Sequence, residues 1–272
     1  MSEGFTKMKN KIPVTTEIIT IDKDQGLTEA MQIMDKEHIS HLLVRDEGKI
    51  IGIVTERDIA NKFANFCDIK TERKLTATQF HVSSAMVNDL TTISSTAEIT
   101  DAAKMMIKNG FSSLPVVEND KIIGIVTKTD LIREVKDSQK EIGAFYSKDA
   151  VTIPAGSTIV HARKAMLESN IHKILVTSDG ELLGVLSDKD IANALRDFRM
   201  ILDKHKHADV RTIKVDGYIK KGPVILNKSD TISNAVEMMI KHGTSGIPVV
   251  GETPGIITKT DIVKGIAEGK LP

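Results

Sequence analysis

Tryptophan is absent from this sequence, cysteine occurs once (Cys67), and aromatic residues make up only 3% of it. So few aromatic faces argue against the stacking platforms that hold single-stranded nucleic acid. One cysteine excludes an internal disulfide. Charge of one sign is also missing: Lys+Arg 37 balances Asp+Glu 37, for a formal net charge of +0. That removes the broad positive field expected of a nucleic-acid or anionic-membrane binder, so any anion site must be local. No apolar run approaches membrane-spanning length. The opening MSEGFTKMKNKIPV lacks the apolar centre of a signal peptide, which makes the cytoplasm the expected compartment. With 272 residues, 40% of them hydrophobic, the chain is long enough for about two domains with real cores.

What is present is repetition. GIVTERD (Gly52 to Asp58) returns as GIVTKTD (Gly124 to Asp130), GVLSDKD (Gly184 to Asp190) and GIITKTD (Gly255 to Asp261). Successive aspartates are 72, 60 and 71 residues apart, a long, short, long rhythm unlike that of a simple tandem array. Asp58 to Asp190 is 132 residues and Asp130 to Asp261 is 131, so the duplicated object is a pair of units. Residues ahead of the middle strand alternate in the same way: HISHLLV and NIHKILV in repeats one and three, GFSSLPVV and GTSGIPVV in two and four.

Repeat two shows how a unit is built. A β-prone LTTI precedes EITDAAKMMIKNG, whose apolar spacing is helical and which Gly110 ends. LPVV, the turn pair Asn119 and Asp120, and KIIGIVT then read as a hairpin, and a second helix opens near Asp130. The predicted order is β-α-β-β-α, an α/β (α+β) fold repeated four times. In the first helix, alanine (Ala30, Ala102, Ala162, Ala235) and methionine (Met34, Met106, Met166, Met239) recur on one face. At this spacing the methionines read as core, with alanine permitting close helix-sheet approach.

Each heptapeptide ends a strand and opens a helix, with a hydroxyl three residues before an acid: Thr55/Asp58, Thr127/Asp130, Ser187/Asp190 and Thr258/Asp261. Two readings share this geometry. One is a capping box, in which hydroxyl and acid satisfy the helix start. The other is a nucleotide site: helix N–H groups accept phosphate, the hydroxyl caps while donating outward, and the carboxylate pairs with adjacent ribose hydroxyls. Thr129 and Thr260 add a second hydroxyl in repeats two and four, where Arg57 and Lys189 stand in one and three. These side chains are candidate phosphate donors.

The repeat order, the LPVV-type strand and the Gly-h-h-Thr/Ser-x-x-Asp ending, in four copies, resemble cystathionine-β-synthase (CBS) domains. The resemblance covers nearly the whole chain. It implies two Bateman modules, residues 1–140 (repeats about 13–66 and 83–136) and 141–272 (repeats about 146–198 and 217–268), closing into a disc. In that family, adenosine-containing ligands bind in clefts between paired repeats. By the resemblance, Asp58, Asp130, Asp190 and Asp261 hold ribose, while Thr55, Thr127, Ser187 and Thr258 lie near phosphate. The chain is also similar to the gamma subunits of AMP-activated protein kinase, whose His-Arg pair before the middle strand contacts phosphates. His172 and Lys173 match that pair, Ser40 and His41 match in part, and Ser112/Ser113 and Ser245/Gly246 do not. The hairpin of repeat four is also short, with 7 residues from Pro248 to Gly255 against 9 from Pro115 to Gly124, which predicts an altered site there.

The resemblance thus implies a non-enzymatic sensor whose regulatory ligand is AMP, ADP, ATP or another adenosyl compound such as S-adenosylmethionine. It would signal to a partner protein, as a monomeric disc or a homodimer. The alternatives are an assembly adaptor that binds no nucleotide and an enzyme acting on one. Other signals fall away: GIVTKT and GIITKT lack the glycine that a Walker A loop places before its lysine. His205 and His207 flank Lys206 without sharing a helical face or a nearby cysteine, so a metal pair is not expected. His38, His81, His161 and His242 stand alone, Cys67 has no activating partner, and neither H-E-x-x-H nor G-x-S-x-G occurs.

Overall fold

The structure, a computed structural model, describes residues 11–68, 80–204, 209–251 and 253–272. His205, His207 and the Cys67 side chain lie outside the described residues. All four repeats take the predicted order. Repeat one comprises β1 (Thr20–Asp22), α1 (Leu27–Lys36), β2 (His41–Asp46), β3 (Lys49–Thr55) and α2 (Glu56–Asp68). Repeat two follows with β4 (Ile93–Ser94), α3 (Ile99–Asn109), β5 (Ser113–Glu118), β6 (Lys121–Thr127) and α4 (Lys128–Glu134). Repeat three contains β7 (Thr152–Pro154), α5 (Ile159–Glu168), β8 (Lys173–Ser178), β9 (Glu181–Ser187) and α6 (Asp188–Lys204). After the short β10 (Lys220–Lys221), repeat four has β11 (Leu226–Asn227), α7 (Ile232–Lys241), β12 (Gly246–Val250), β13 (Gly255–Thr258) and α8 (Lys259–Ala267).

Local chemistry accounts for the element ends. Gly110 closes α3 at φ 70°, where a side chain would be strained, and returns its N–H to Met106. Asn119 and Asp120 both have positive φ (49° and 58°), as a two-residue hairpin matched to strand twist requires. In each sheet the first strand pairs parallel to the second and the second antiparallel to the third. The four alanines of the first helices are fully buried and the four methionines are at most 2% exposed, so the apolar stripe is core.

The chain divides into two compact units that differ from its sequence halves. The first contains Met1–Ile18, Thr91–Lys148 and Val224–Pro272, and therefore repeats two and four; the second contains Ile19–Leu90 and Asp149–Pro223, and therefore repeats one and three. Each has one hydrophobic core. In the second unit, Ile59, Ala60, Phe63 and Ala64 of α2 share a core with Ile191, Ala192, Leu195 and Phe198 of α6. In the first, Leu131 and Ile132 of α4 share one with Ile262, Val263 and Ile266 of α8.

The heptapeptide glycine has a purpose that the sequence reading missed. In every repeat a foreign backbone runs beside the last strand. Thr15, which leads into repeat one, bridges Ile125 of repeat two; Val87, which leads into repeat two, bridges Ile53 of repeat one. Lys220, ahead of repeat four, pairs with Val185 of repeat three, and Ser147, ahead of repeat three, bridges Ile256 of repeat four. A Cβ on Gly52, Gly124 or Gly184 would lie 2.8, 2.6 or 2.7 Å from the carbonyl oxygen of Val87, Thr15 or Lys220. On Gly255 it would meet the Tyr146 ring at 2.5 Å. Leader segments are thus exchanged between one and two, and between three and four.

Candidate functional site

The last strand of each repeat delivers its final hydroxyl to the start of the second helix, where one arrangement occurs four times. Oδ2 of Asp58 accepts from the Thr55 N–H (2.9 Å) and Oγ1 (2.6 Å), and the Asp58 N–H returns to Thr55 Oγ1 at 3.3 Å. The corresponding bonds join Thr127 to Asp130, Ser187 to Asp190 and Thr258 to Asp261. These are complete capping boxes. The hydroxyl proton is directed into the aspartate, which corrects the expectation that it points outward.

The expected row of open helix N–H groups is also reduced. The first N–H of each second helix bonds back to a strand-entry carbonyl, those of Ser40, Ser112, His172 and Ser245. The third is the capped aspartate N–H. Among the described residues that leaves one N–H per start, on Arg57, Thr129, Lys189 or Thr260. The other polar group at each start is the second carboxylate oxygen. Oδ1 of Asp58 and Oδ1 of Asp190 accept no hydrogen bond among the described residues. Oδ1 of Asp130 receives Arg133 Nη1 at 3.4 Å, and Oδ1 of Asp261 receives Ser147 Oγ at 3.1 Å.

Strand register decides what faces each hydroxyl. His41 is paired with Thr55, Ser113 with Thr127, Lys173 with Ser187 and Gly246 with Thr258. The basic residues singled out in the sequence thus lie opposite the motif in repeats one and three, within the second unit. Burial lowers the Lys173 ammonium below its ordinary pKa, while Asp190, Glu56 and Asp188 oppose that fall. No ion pair within 4.0 Å holds Lys173 among the described residues. His172 is engaged: Nδ1 lies 2.6 Å from Asp188 Oδ2, and Nε2 lies 3.2 Å from Arg57 Nη1. The shortening of repeat four falls beyond the Val249–Gly255 pair, at the far end of the hairpin, and leaves the Gly246–Thr258 register intact. Glycine opposite Thr258 distinguishes this strand end from the other three.

Arg57, Lys189, Thr129 and Thr260 were expected to serve phosphate in their own repeats. Each is in contact with the other repeat of its unit. Arg57 Nη2 donates to the Ile171 carbonyl at 3.3 Å, and its Nε lies 3.8 Å from Asp188. Lys189 Nζ pairs with Asp35 at 2.5 Å and lies 4.0 Å from Glu56. Lys128 Nζ donates to Thr260 Oγ1 at 2.9 Å and Lys259 Nζ to Thr129 Oγ1 at 2.8 Å. Burial raises Glu56 to about 7, with Lys189 and Lys173 pulling the other way, and it lowers Lys128 to about 8. Burial also raises Asp58, against the Thr55 bonds and Arg57.

Among the described residues no group of three His, Cys, Asp or Glu is placed to hold a metal, and no helix is long and apolar enough to cross a membrane.

The CBS domain pattern matches residues 10–65, 82–137, 141–197 and 215–268, and the chain belongs to that family. Uncharacterized protein MJ1225 of Methanocaldococcus jannaschii is 23% identical over 94% of this chain and 98% of its own. The crystal structure of MJ1225, described as a candidate archaeal homologue of g-AMPK, superposes with TM-score 0.80 at 20% identity, covering 92% of this chain and 97% of that one. A conserved uncharacterized protein from Pyrococcus horikoshii superposes with TM-score 0.60 at 20% identity, covering 93% and 97%. Inosine-5'-monophosphate dehydrogenase of M. jannaschii is 26% identical over 95% of this chain but only 45% of its own length.

Proposed function

We propose that this chain is a non-enzymatic regulatory protein that binds an adenosyl ligand, AMP, ADP, ATP or a related compound, at its hydroxyl/aspartate helix starts and signals to a partner protein. The observation that carries the reading is the open Oδ1 of Asp190 beside Lys173: a carboxylate oxygen for a ribose hydroxyl and a cation for phosphate at one strand end. Repeat three is the best-equipped position. Repeat one offers Asp58 and His41, whereas repeats two and four offer Ser113 and Gly246 in the cationic place. Asp130 and Asp261 can still accept ribose once Arg133 or Ser147 moves aside.

The reading is tested by a thermal-shift panel with AMP, ADP, ATP and S-adenosylmethionine, together with mass determination of any copurifying molecule. A ligand at about 100 times its Kd adds roughly 2.7 kcal/mol to native stability. In a chain of this size that is on the order of several degrees. A flat profile across the panel favours the adaptor reading, and steady conversion of a bound nucleotide favours the enzyme.

A further inference from the structure

The four second helices meet in two pairs, and their first two residues obey one contact rule. Position one of each helix touches position two of its mate. Glu56 meets Lys189 at 4.0 Å and Asp188 meets Arg57 at 3.8 Å; Lys128 meets Thr260 at 2.9 Å and Lys259 meets Thr129 at 2.8 Å. The chemistry differs by pair. Repeats one and three read acid then base, while two and four read lysine then threonine.

We infer that these eight side chains form a pairing code that selects repeat three as the helix partner of repeat one and repeat four as that of repeat two. The four repeats could pack helix to helix in three ways. If one met two or four, Lys128 or Lys259 would face Arg57. If three met two or four, the same lysines would face Lys189. Every wrong combination sets two cations together at a helix interface and puts a threonine where Glu56 or Asp188 now has a cation from the mate helix, whereas both observed combinations avoid this. Like charges placed together reject a partner far more strongly than a half-exposed ion pair attracts one, so the code acts mainly by exclusion. Burial of Lys128 to 9% exposure puts that exclusion where water screens it least.

The full-length chain tests this through a double-substitution cycle in the first unit. Thr129→Lys places a second ammonium opposite Lys259 and should lower the melting temperature by roughly 3 °C or more. Adding Lys259→Glu should recover most of that loss, although Lys259→Glu alone is also destabilising. Effects that merely add, or a Thr129→Lys chain that melts like the parent, would overturn the code. A second variant reads selection itself. Lys128→Glu, Thr129→Arg, Lys259→Asp and Thr260→Lys together give all four repeats the same acid-base order, so wrong pairings are no longer excluded. Its amide spectrum should show more than one set of signals for the second helices. A single native-like set would place selection elsewhere and refute the inference.

Discussion

Lys173 stands directly opposite Ser187 in the β8–β9 ladder, so a cation with no ion pair within 4.0 Å among the described residues lies at the strand end where Asp190 Oδ1 accepts no hydrogen bond among them. Asp190→Asn should therefore weaken adenosyl-ligand binding by about 1.5–3 kcal/mol, through loss of a charge-assisted hydrogen bond. That is roughly 10- to 150-fold in Kd. Asp261→Asn should have the smallest effect, because glycine faces its motif. Calorimetric titration of the four single variants ranks the sites. Unchanged affinity in all four, with reduced unliganded stability, would leave the motifs as helix caps alone.

Lys173→Met should separate phosphate from ribose recognition. Removing this ammonium should weaken ATP and AMP binding while leaving adenosine nearly unaffected. Competition titrations with the three compounds measure the difference, and an equal loss for adenosine would show that Lys173 has no phosphate role.

Glu56 sets a pH dependence. Its carboxyl is raised from 4.5 to about 7 on folding, so the native state holds more protons than the unfolded chain between those values. Stability must then fall as pH rises through that window, with the penalty absent below it and complete above it. Denaturation midpoints of the parent, relative to Glu56→Gln, should decline from pH 5 to pH 8. Parallel curves would remove Glu56 as the titrating group.

Lys128 shows the opposite sign, since its ammonium is lowered from 10.5 to about 8. Its burial penalty is present below about 8 and relieved as pH rises toward 10.5. Lys128→Met should accordingly raise the neutral-pH melting temperature, because a buried charge with a neutral partner costs more than an apolar chain of similar volume. A lowered melting temperature would mean that the Thr260 bond outweighs desolvation.

Gly184→Ala should destabilise by about 1–3 kcal/mol, since the new Cβ would sit 2.7 Å from the Lys220 carbonyl oxygen and force a backbone to move. Gly217→Ala, with nothing within 4 Å of its Cβ, should change little. Urea unfolding of both variants provides the comparison. A neutral Gly184→Ala would show that the exchanged leader segment yields easily.

The sequence by itself determined the repeat, its β-α-β-β-α order and its buried face. Those depend on short-range rules: helical spacing of Ala102 and Met106, the left-handed stop at Gly110, the turn at Asn119 and Asp120, and a hydroxyl three residues before an acid. It also marked His41, His172 and Lys173, though not what they face. Only the tertiary structure decided that Lys173 pairs with Ser187, that Gly124 is needed because Thr15 passes beside it, and that Arg57 reaches Ile171 in another repeat. Such relationships join residues more than a hundred positions apart, or depend on where a hairpin bulge falls, and neither leaves a periodic trace in the chain. The capping box was legible; the direction of its hydroxyl proton was not, because that is settled by which acceptor lies nearest once helix and strand are in place.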